Sequence, residues 1–391
     1  MNMELISSFS AVEDYDVPSV THYDPMVDSI VDGVNFDVMT PGDQIALFRT
    51  CRMRGIDISG HHKVQASISK FSSEFWMRSG VGVDDGFISS TTKTLMSVWS
   101  TFYRWCKAEN HLPVLPAKES TVQKYLTYRS GCGVSKNTLG LDAWAISKLH
   151  NESGCIDPLS EPRTRDFLKN LKKRKVIVEQ DITRQASGLR KDVVKGIIGE
   201  WSSETASLKN KRDLAIVVVG YFTLLRASEL SRIRLSHISV DDEGGAIITI
   251  PISKTNHSGE PESVYINSKQ MAHVFNYLNA DGRSALDDSY LFGMVAPNGQ
   301  KSVKSRNPLS VQTIRNVMGV AWEEFGREAG VKRKFTAHST RVGGSQDMRL
   351  KGIPLLDIMH AGRWSGPAMV IRYTRDVAAK LSGAVSLQND F

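Results

Sequence analysis

The chain is poor in the groups that build metal and redox sites. Its 391 residues include only 4 cysteines. Cys51, Cys106, Cys132 and Cys155 are widely spaced with no C-x-x-C pair, which argues against a zinc site or a disulfide framework and fits a reducing compartment. Neither an acidic metal cluster nor a P-loop occurs. Long apolar runs are missing as well: the longest mainly apolar stretch, Leu214–Leu225, has 12 residues, whereas a bilayer span needs about 20. The opening MNMELISSFS lacks the basic and apolar regions of a signal peptide. There is no internal repeat or low-complexity run. A soluble intracellular protein is expected.

Basic residues are also absent from the whole beginning of the chain. Residues 1–48 hold nine Asp or Glu and no Lys or Arg. The whole chain has 49 Lys and Arg against 42 Asp and Glu, a net charge of +7. The other 343 residues therefore set 49 bases against 33 acids, about +16. A basic body with an acidic leader favours an anionic partner.

Periodicity divides the chain into an acidic leader over 1–62, expected to be loosely ordered, a helical domain over 63–176, a linker over 177–185 and a second domain over 186–391. Helices are expected at Phe71–Ser79, Ser89–Asn110, Ser120–Tyr128 and Lys136–Glu152, the second with an apolar stripe of Leu95, Val98, Trp99, Phe102 and Trp105/Cys106. Arg163–Lys175 carries seven bases and one acid, which suits either a helix beside a polyanion or a solvated face. The helical pattern is lost over Val176–Gln185. In the second half, AIITIPI at Ala246–Ile252 and Ser263–Ile266 read as a β-hairpin carrying Lys254 on its loop. Helices follow near Ser268–Leu278 and Ser310–Ala329, and three short ones close the chain. The expected class is mainly α with a small antiparallel sheet.

Several side chains invite a chemical reading. In FTAHSTRVGG, Thr336 can cap a helix whose first turn presents His338 and Arg341 on one face, beside free N–H groups suited to an anion. Arg226 ends the apolar helix, where it either meets an anion or pairs with Glu229. Tyr373 falls two turns into a helix that Ser365 can cap and Pro367 begin, and it is either a core tyrosine or a nucleophile. Trp364 follows a Gly-Arg bend, as core packing or as an N–H donor to a phosphate.

Ordered as Arg226-x-x-Glu229, Lys254, His338-x-x-Arg341, Trp364, Tyr373, these residues resemble the catalytic set of the tyrosine recombinases, the phage integrase family, in its Cre-like branch. The blocks TLLRASELSRIRLSHI, ITIPISKTNHSG, TAHSTRVGGSQDM and IMHAGRWSGPAMVIRYTR carry the likeness. It runs from about residue 70 to the C-terminus and is weaker in the first half. Many relatives have a second histidine where Trp364 stands, and the family pattern gives the acidic leader no role.

The resemblance implies a helical core-binding domain and an α+β catalytic domain forming a C-shaped clamp on DNA. It implies a site-specific recombinase that cuts and rejoins DNA through a 3′-phosphotyrosine and a Holliday junction, as a homotetramer on two lox-like, inverted-repeat sites, monomeric when free. Tyr373 would be the nucleophile, Arg226 and Arg341 the phosphate clamp, and Lys254 the general acid. His338 would assist proton transfer, Trp364 would donate its N–H, and Glu229 would position its neighbours. Base or backbone contacts are expected from Thr91, Lys93, Thr94, Ser97, Lys136, Asn137, Thr138, Gln312 and Arg315, and Val377–Leu387 is a candidate for exchange between protomers. No metal, small-molecule cofactor or membrane is implied, and a plasmid- or phage-borne protein of the bacterial cytosol is expected. A type IB topoisomerase, a hairpin resolvase or a non-cleaving DNA-binding regulator are the alternatives.

Overall fold

A computed structural model describes residues 25–36, 90–111, 114–152, 155–251, 260–283, 289–296 and 307–388, with scattered positions between 38 and 64. The expected helix Phe71–Ser79 and the loop carrying Lys254 lie outside the described residues. Backbone contacts divide the chain into two compact units, Met1–Thr183 and Arg184–Phe391.

In the first unit, helices α1 (Pro25–Asp32), α2 (Ser90–Ala108), α3 (Glu119–Gly131), α4 (Lys136–Glu152) and α5 (Pro162–Ile177) are described. The α2 stripe turns inward: Leu95, Val98, Trp99, Phe102 and Cys106 are buried against Tyr125 and Leu126 of α3 and Leu139, Ala143, Ile146 and Leu149 of α4. Phe102 meets Tyr125 edge-on at 4.9 Å between ring centres, the arrangement ring quadrupoles favour. In α5, Phe167, Leu168 and Leu171 pack on this core, while Arg163, Arg165, Lys169, Lys173 and Arg174 face solvent. Part of the leader lies among the described residues. Pro25–Asp32 is helical, and its Val31 is buried with Cys51, Ile58, Val64 and Cys155. A short amphipathic turn can order when a neighbouring core offers it an apolar surface.

The second unit is built around α7 (Leu208–Thr223), preceded by α6 (Lys191–Trp201). Ser207 caps α7, its side chain accepting from the Asn210 N–H at 3.1 Å. Every residue from Leu214 to Val219 is buried, so this stretch of the helix is apolar all round, as a core axle must be. After the four-residue α8 (Ala227–Leu230) comes a three-stranded antiparallel sheet: β1 (Ile238–Val240), β2 (Ala246–Ile250) and β3 (Glu262–Ile266), in the order β1-β2-β3. Ala246 pairs with Ile266 and Ile250 with Glu262. Ala246, Ile248 and Ile250 point to the core while Ile247 faces out, the period of two that a half-covered sheet requires. β1 was not foreseen; its three residues are too few for alternation to register.

Next come α9 (Ser268–Ala280), α10 (Val311–Ala321), α11 (Ser339–Leu350), α12 (Leu355–Gly362), α13 (Ala368–Lys380) and α14 (Gly383–Gln388). The long helix expected over Ser310–Ala329 uses Ser310 as cap and widens into a π turn at Trp322–Gly326. The segment Val377–Leu387, the candidate for exchange between protomers, spans two helices: α13 ends at Lys380 and α14 begins at Gly383. Together these elements make a mainly α fold with one small antiparallel sheet.

Candidate active site

The site forms where the end of α7 meets the starts of α8 and α11 and the turn after α12. Leu224 ends α7 in a left-handed conformation, φ 53°, which costs a non-glycine residue about 1–2 kcal/mol. That turn aims the Leu224 carbonyl at Arg341, whose Nη1 donates to it. It also delivers Arg226 to the start of α8, where Glu229 reaches back and accepts from the Arg226 N–H at 2.8 Å. A carboxylate three residues into a helix commonly makes this return bond.

Arg341 lies on the first turn of α11 and is 2 % exposed. Gly343 and Gly344 make this depth possible. A Cβ on Gly343 would overlap the Leu189 backbone, and one on Gly344 would come within 2.9 Å of the Tyr221 carbonyl. Besides Leu224, Arg341 donates from Nη2 to the Gly362 carbonyl at 3.0 Å, and its guanidinium stands 4.7 Å from the centre of the Trp364 ring. Burial pushes its pKa down to about 10, with the like charges of Arg226 and Arg363 adding to the effect and Glu229 and Tyr373 opposing it. A cation held by carbonyls and an indole face, crowded by like charge, is a ready receptor for an anion.

The other face of the cluster is carboxylate. Burial by itself would raise the Glu229 pKa, but the Arg226 N–H, Arg363 and the Arg226 guanidinium outweigh it and hold the carboxyl below its ordinary value. Arg226 Nη1 reaches Glu229 Oε1 at 2.6 Å, so the pairing expected as an alternative for Arg226 is present. Arg226 keeps partial exposure, 19 % of its side chain, so the pair does not seal it from solvent.

Tyr373 lies in α13, which starts one residue after Pro367. It is 8 % exposed, and its ring meets Trp364 edge-on at 5.7 Å. Its main-chain carbonyl accepts from the side-chain amides of Gln185 at 2.9 Å and Gln346 at 3.1 Å. Trp364 therefore lies between a buried guanidinium and a phenol. The structure brings together Arg226, Glu229, Arg341, Trp364 and Tyr373.

His338 is exposed and immediately precedes α11. The helix starts at Ser339, later than the expected Thr336 cap; Ser339 Oγ accepts from the Thr336 N–H, and Thr336 Oγ1 accepts from the His338 N–H. His338 also lines an open groove of about 740 Å3 with Gln312, Arg315, Asn316, Lys334 and Thr336. Lys254 lies outside the described residues. In the first unit Thr91, Lys93 and Ser97 are exposed on α2 and Thr94 is partly buried. Lys136 is committed elsewhere: its N–H and ammonium donate to the Asp181 carboxylate and carbonyl. Asn137 is exposed and Thr138 half-buried.

Sequence reasoning missed Arg363. Its side chain, 7 % exposed, donates to Glu229 at 2.6 Å and pairs with Glu262 at 3.2 Å. The only signal was an arginine, in place of a glycine, at the turn that ends α12. Among the described residues, no group of three or more His, Cys, Asp or Glu could hold a metal ion, and no helix is long and apolar enough to cross a membrane.

Comparison with known proteins gives this geometry a lineage. Residues 188–380 match the model of the phage integrase family. Recombinase cre of Escherichia phage P1 is 26 % identical over 310 residues, 78 % of this chain and 89 % of that protein. Tyrosine recombinase XerA of Pyrococcus furiosus is 25 % identical over 299 residues, 70 % of this chain and 95 % of that one. The fold is shared with the XerH site-specific recombinase, solved bound to palindromic difH substrate as a post-cleavage complex. That match has a TM-score of 0.52 at 14 % identity, covering 99 % of this chain and 94 % of that one. A cluster of guanidiniums, an indole and a phenol thus lies within residues 188–380, the part of the chain that matches the phage integrase family, and the chain is similar to tyrosine-type site-specific DNA recombinases.

Proposed function

We propose that Tyr373 is the nucleophile and that Arg226 and Arg341 grip the scissile phosphate of a DNA duplex. The observation that carries this reading is the placement of Trp364 between the Arg341 guanidinium and the Tyr373 ring. A phenol is a weak nucleophile at neutral pH because its ordinary pKa is about 10. Positive charge beside the phosphate lowers the barrier by stabilising the trigonal-bipyramidal transition state. The Tyr373 oxygen forms a bond to phosphorus as the bond to the 5′-oxygen breaks. The 5′-oxygen takes a proton from Lys254, leaving a 3′-phosphotyrosine and a free 5′-hydroxyl. His338 receives or holds the phenolic proton, and the Trp364 N–H donates to a phosphate oxygen. The ester keeps the energy of the broken bond, so rejoining needs neither ATP nor a metal.

The same reading extends to binding. Gln312 and Arg315 share a groove with His338, which suits base-edge contact beside a phosphate site. Thr91, Lys93, Thr94, Ser97, Asn137 and Thr138 serve the first unit, the helical core-binding domain. Lys136 contributes less, because its ammonium is already engaged by Asp181. Four copies assemble on two sites with inverted repeats and exchange strands through a Holliday junction. Leu381 and Leu387, exposed at 47 % and 61 %, offer the apolar contact between copies.

The test uses a nicked duplex whose site has been selected from random sequence by the Tyr373→Phe variant. In EDTA the unaltered chain should form a covalent adduct on a denaturing gel, and Tyr373→Phe none. Lys254→Ala should cleave slowly unless the leaving group is a 5′-phosphorothiolate, which needs no proton. Persistence of the adduct in Tyr373→Phe overturns the assignment. Relaxation of supercoiled plasmid regardless of sequence would point to topoisomerase action instead.

A further inference from the structure

We propose that Arg363 is a positioning residue for DNA cleavage, holding Arg226 and Arg341 in register through Glu229 and the turn of residues 362–364; the inference rests on the phosphate-gripping role given above to those two arginines.

Arg363 adopts a left-handed conformation, φ 52°, the backbone geometry in which glycine is at ease and arginine is not. Its side chain explains why the strain persists. From a site nearly closed to solvent, Nη2 donates to Glu229 Oε2 at 2.6 Å, Nε faces Glu262 Oε2 at 3.2 Å, and Nη1 donates to the Thr223 carbonyl at 3.4 Å. One planar fork thus ties the end of α7, the start of α8 and the first residue of β3 to the turn after α12. A lysine, with a point charge, cannot reproduce that span.

Both neighbours of Arg363 belong to the site. The Gly362 carbonyl accepts from Arg341, and Trp364 lies under the Arg341 guanidinium. A continuous chain of contacts results: Arg341 to Gly362, Gly362 to Arg363, Arg363 to Glu229, Glu229 to Arg226. Two like charges that repel are thereby kept at a set separation, as gripping two oxygens of one phosphate requires.

Arg363 also decides how Arg226 pairs. Carboxylate and guanidinium favour a two-point, side-on pairing. Arg363 shares Oε2 of Glu229 with the Arg226 main-chain N–H, and the Arg226 side chain meets the carboxylate through Nη1 on Oε1. Donors of Arg226 therefore stay available to substrate. Without Arg363, Glu229 would draw Arg226 into the closed pairing.

Arg363→Gly is the cleanest probe, because it removes the fork while relieving the backbone. On the nicked duplex described above, it should bind with unchanged affinity yet form the Tyr373 adduct on the order of tenfold to a hundredfold more slowly in a single turnover at saturating protein. Arg363→Lys should fall between it and the unaltered chain. Adding Arg363→Gly to Glu229→Gln should slow cleavage by clearly less than the product of the two single losses, since the two residues share the Arg363–Glu229 contact. The inference is overturned if Arg363→Gly cleaves at the unaltered rate, if its loss multiplies with that of Glu229→Gln, or if the deficit lies wholly in affinity. Should circular dichroism show the glycine variant unfolded, Arg363→Gln, which keeps a polar side chain but is too short to bridge the same partners, takes the same three comparisons. If the unaltered chain makes no Tyr373-dependent adduct, the phosphate-gripping role fails and takes this inference with it. A normal adduct with Arg363→Gly unimpaired sinks this inference alone.

Discussion

Glu229 shows how much one side chain can decide. It is a buried anion with two guanidiniums and a main-chain N–H on its oxygens. Glu229→Gln leaves Arg226 without its carboxylate and Arg363 with Glu262 alone, and should lower stability by about 3 kcal/mol near neutral pH, since breaking a buried pair exposes the cost of burying the remaining charge. Its pH dependence has a definite sign. The folded carboxyl ionises below its ordinary value, so on acidification the unfolded chain takes up the proton first. The stability it supplies is full above about pH 4.3, the ordinary glutamate value, and is lost as pH falls through the folded-state value. Urea midpoints should therefore differ widely between Glu229→Gln and the parent at pH 6, and the gap should narrow on acidification. A gap constant with pH would contradict this account. Arg226, Glu229, Arg341, Trp364 and Tyr373 were legible in the sequence because each stands in a block with a recognisable spacing. Arg363 was not, because its role comes from a positive φ and from carboxylates distant in sequence, neither of which leaves a local pattern.

Helices set the depth of these groups, and small residues set the helices. Gly343 lets α11 lie directly on the Leu189 backbone, which donates its N–H to the Ser339 carbonyl at 2.8 Å. Gly343→Ala must push that segment away. It should cost about 1–3 kcal/mol, the usual range for overpacking, read as a lowered melting temperature; a variant as stable as the parent would refute the packing argument. In the first unit, α4 is pinned by His150, whose Nε2 accepts from the Ala117 N–H at 2.8 Å while Nδ1 faces the Ile146 carbonyl at 2.7 Å. Burial drives this imidazole down to about 4. Between pH 6.5 and 4 the unfolded chain binds the proton and the folded chain does not. The parent should therefore lose about 3 kcal/mol across that window, and His150→Gln less. Equal losses would mean that His150 is not the group responsible. Sequence periodicity located α2 to α5 because their stripes are continuous. It missed β1 and the break at Leu381–Ser382, where tertiary contacts override weak local preference.

At the scale of the molecule, charge is distributed unevenly. Residues 1–24 carry five acids and no lysine or arginine, so removing them raises the net charge from +7 to +12. If the leader competes with phosphates, the shortened chain should bind duplex of random sequence more tightly, with a steeper loss of affinity as salt rises. An unchanged salt slope would end that idea. The mainly helical class with one small sheet was legible from composition and periodicity, since long amphipathic stripes and one β-branched run point the same way. The order within 25–64 was hidden, because Val31, Cys51, Ile58 and Cys155 become a core only when folded together.

The two amides that clasp the Tyr373 carbonyl have a mechanical consequence. Gln185 is the second residue of the second unit, so it belongs to the strap by which that unit is tethered to the rest of the polypeptide. With Gln346 of α11 on the same carbonyl, the chain entering the second unit and α11 are both pinned to the peptide group of the residue that bears the phenol.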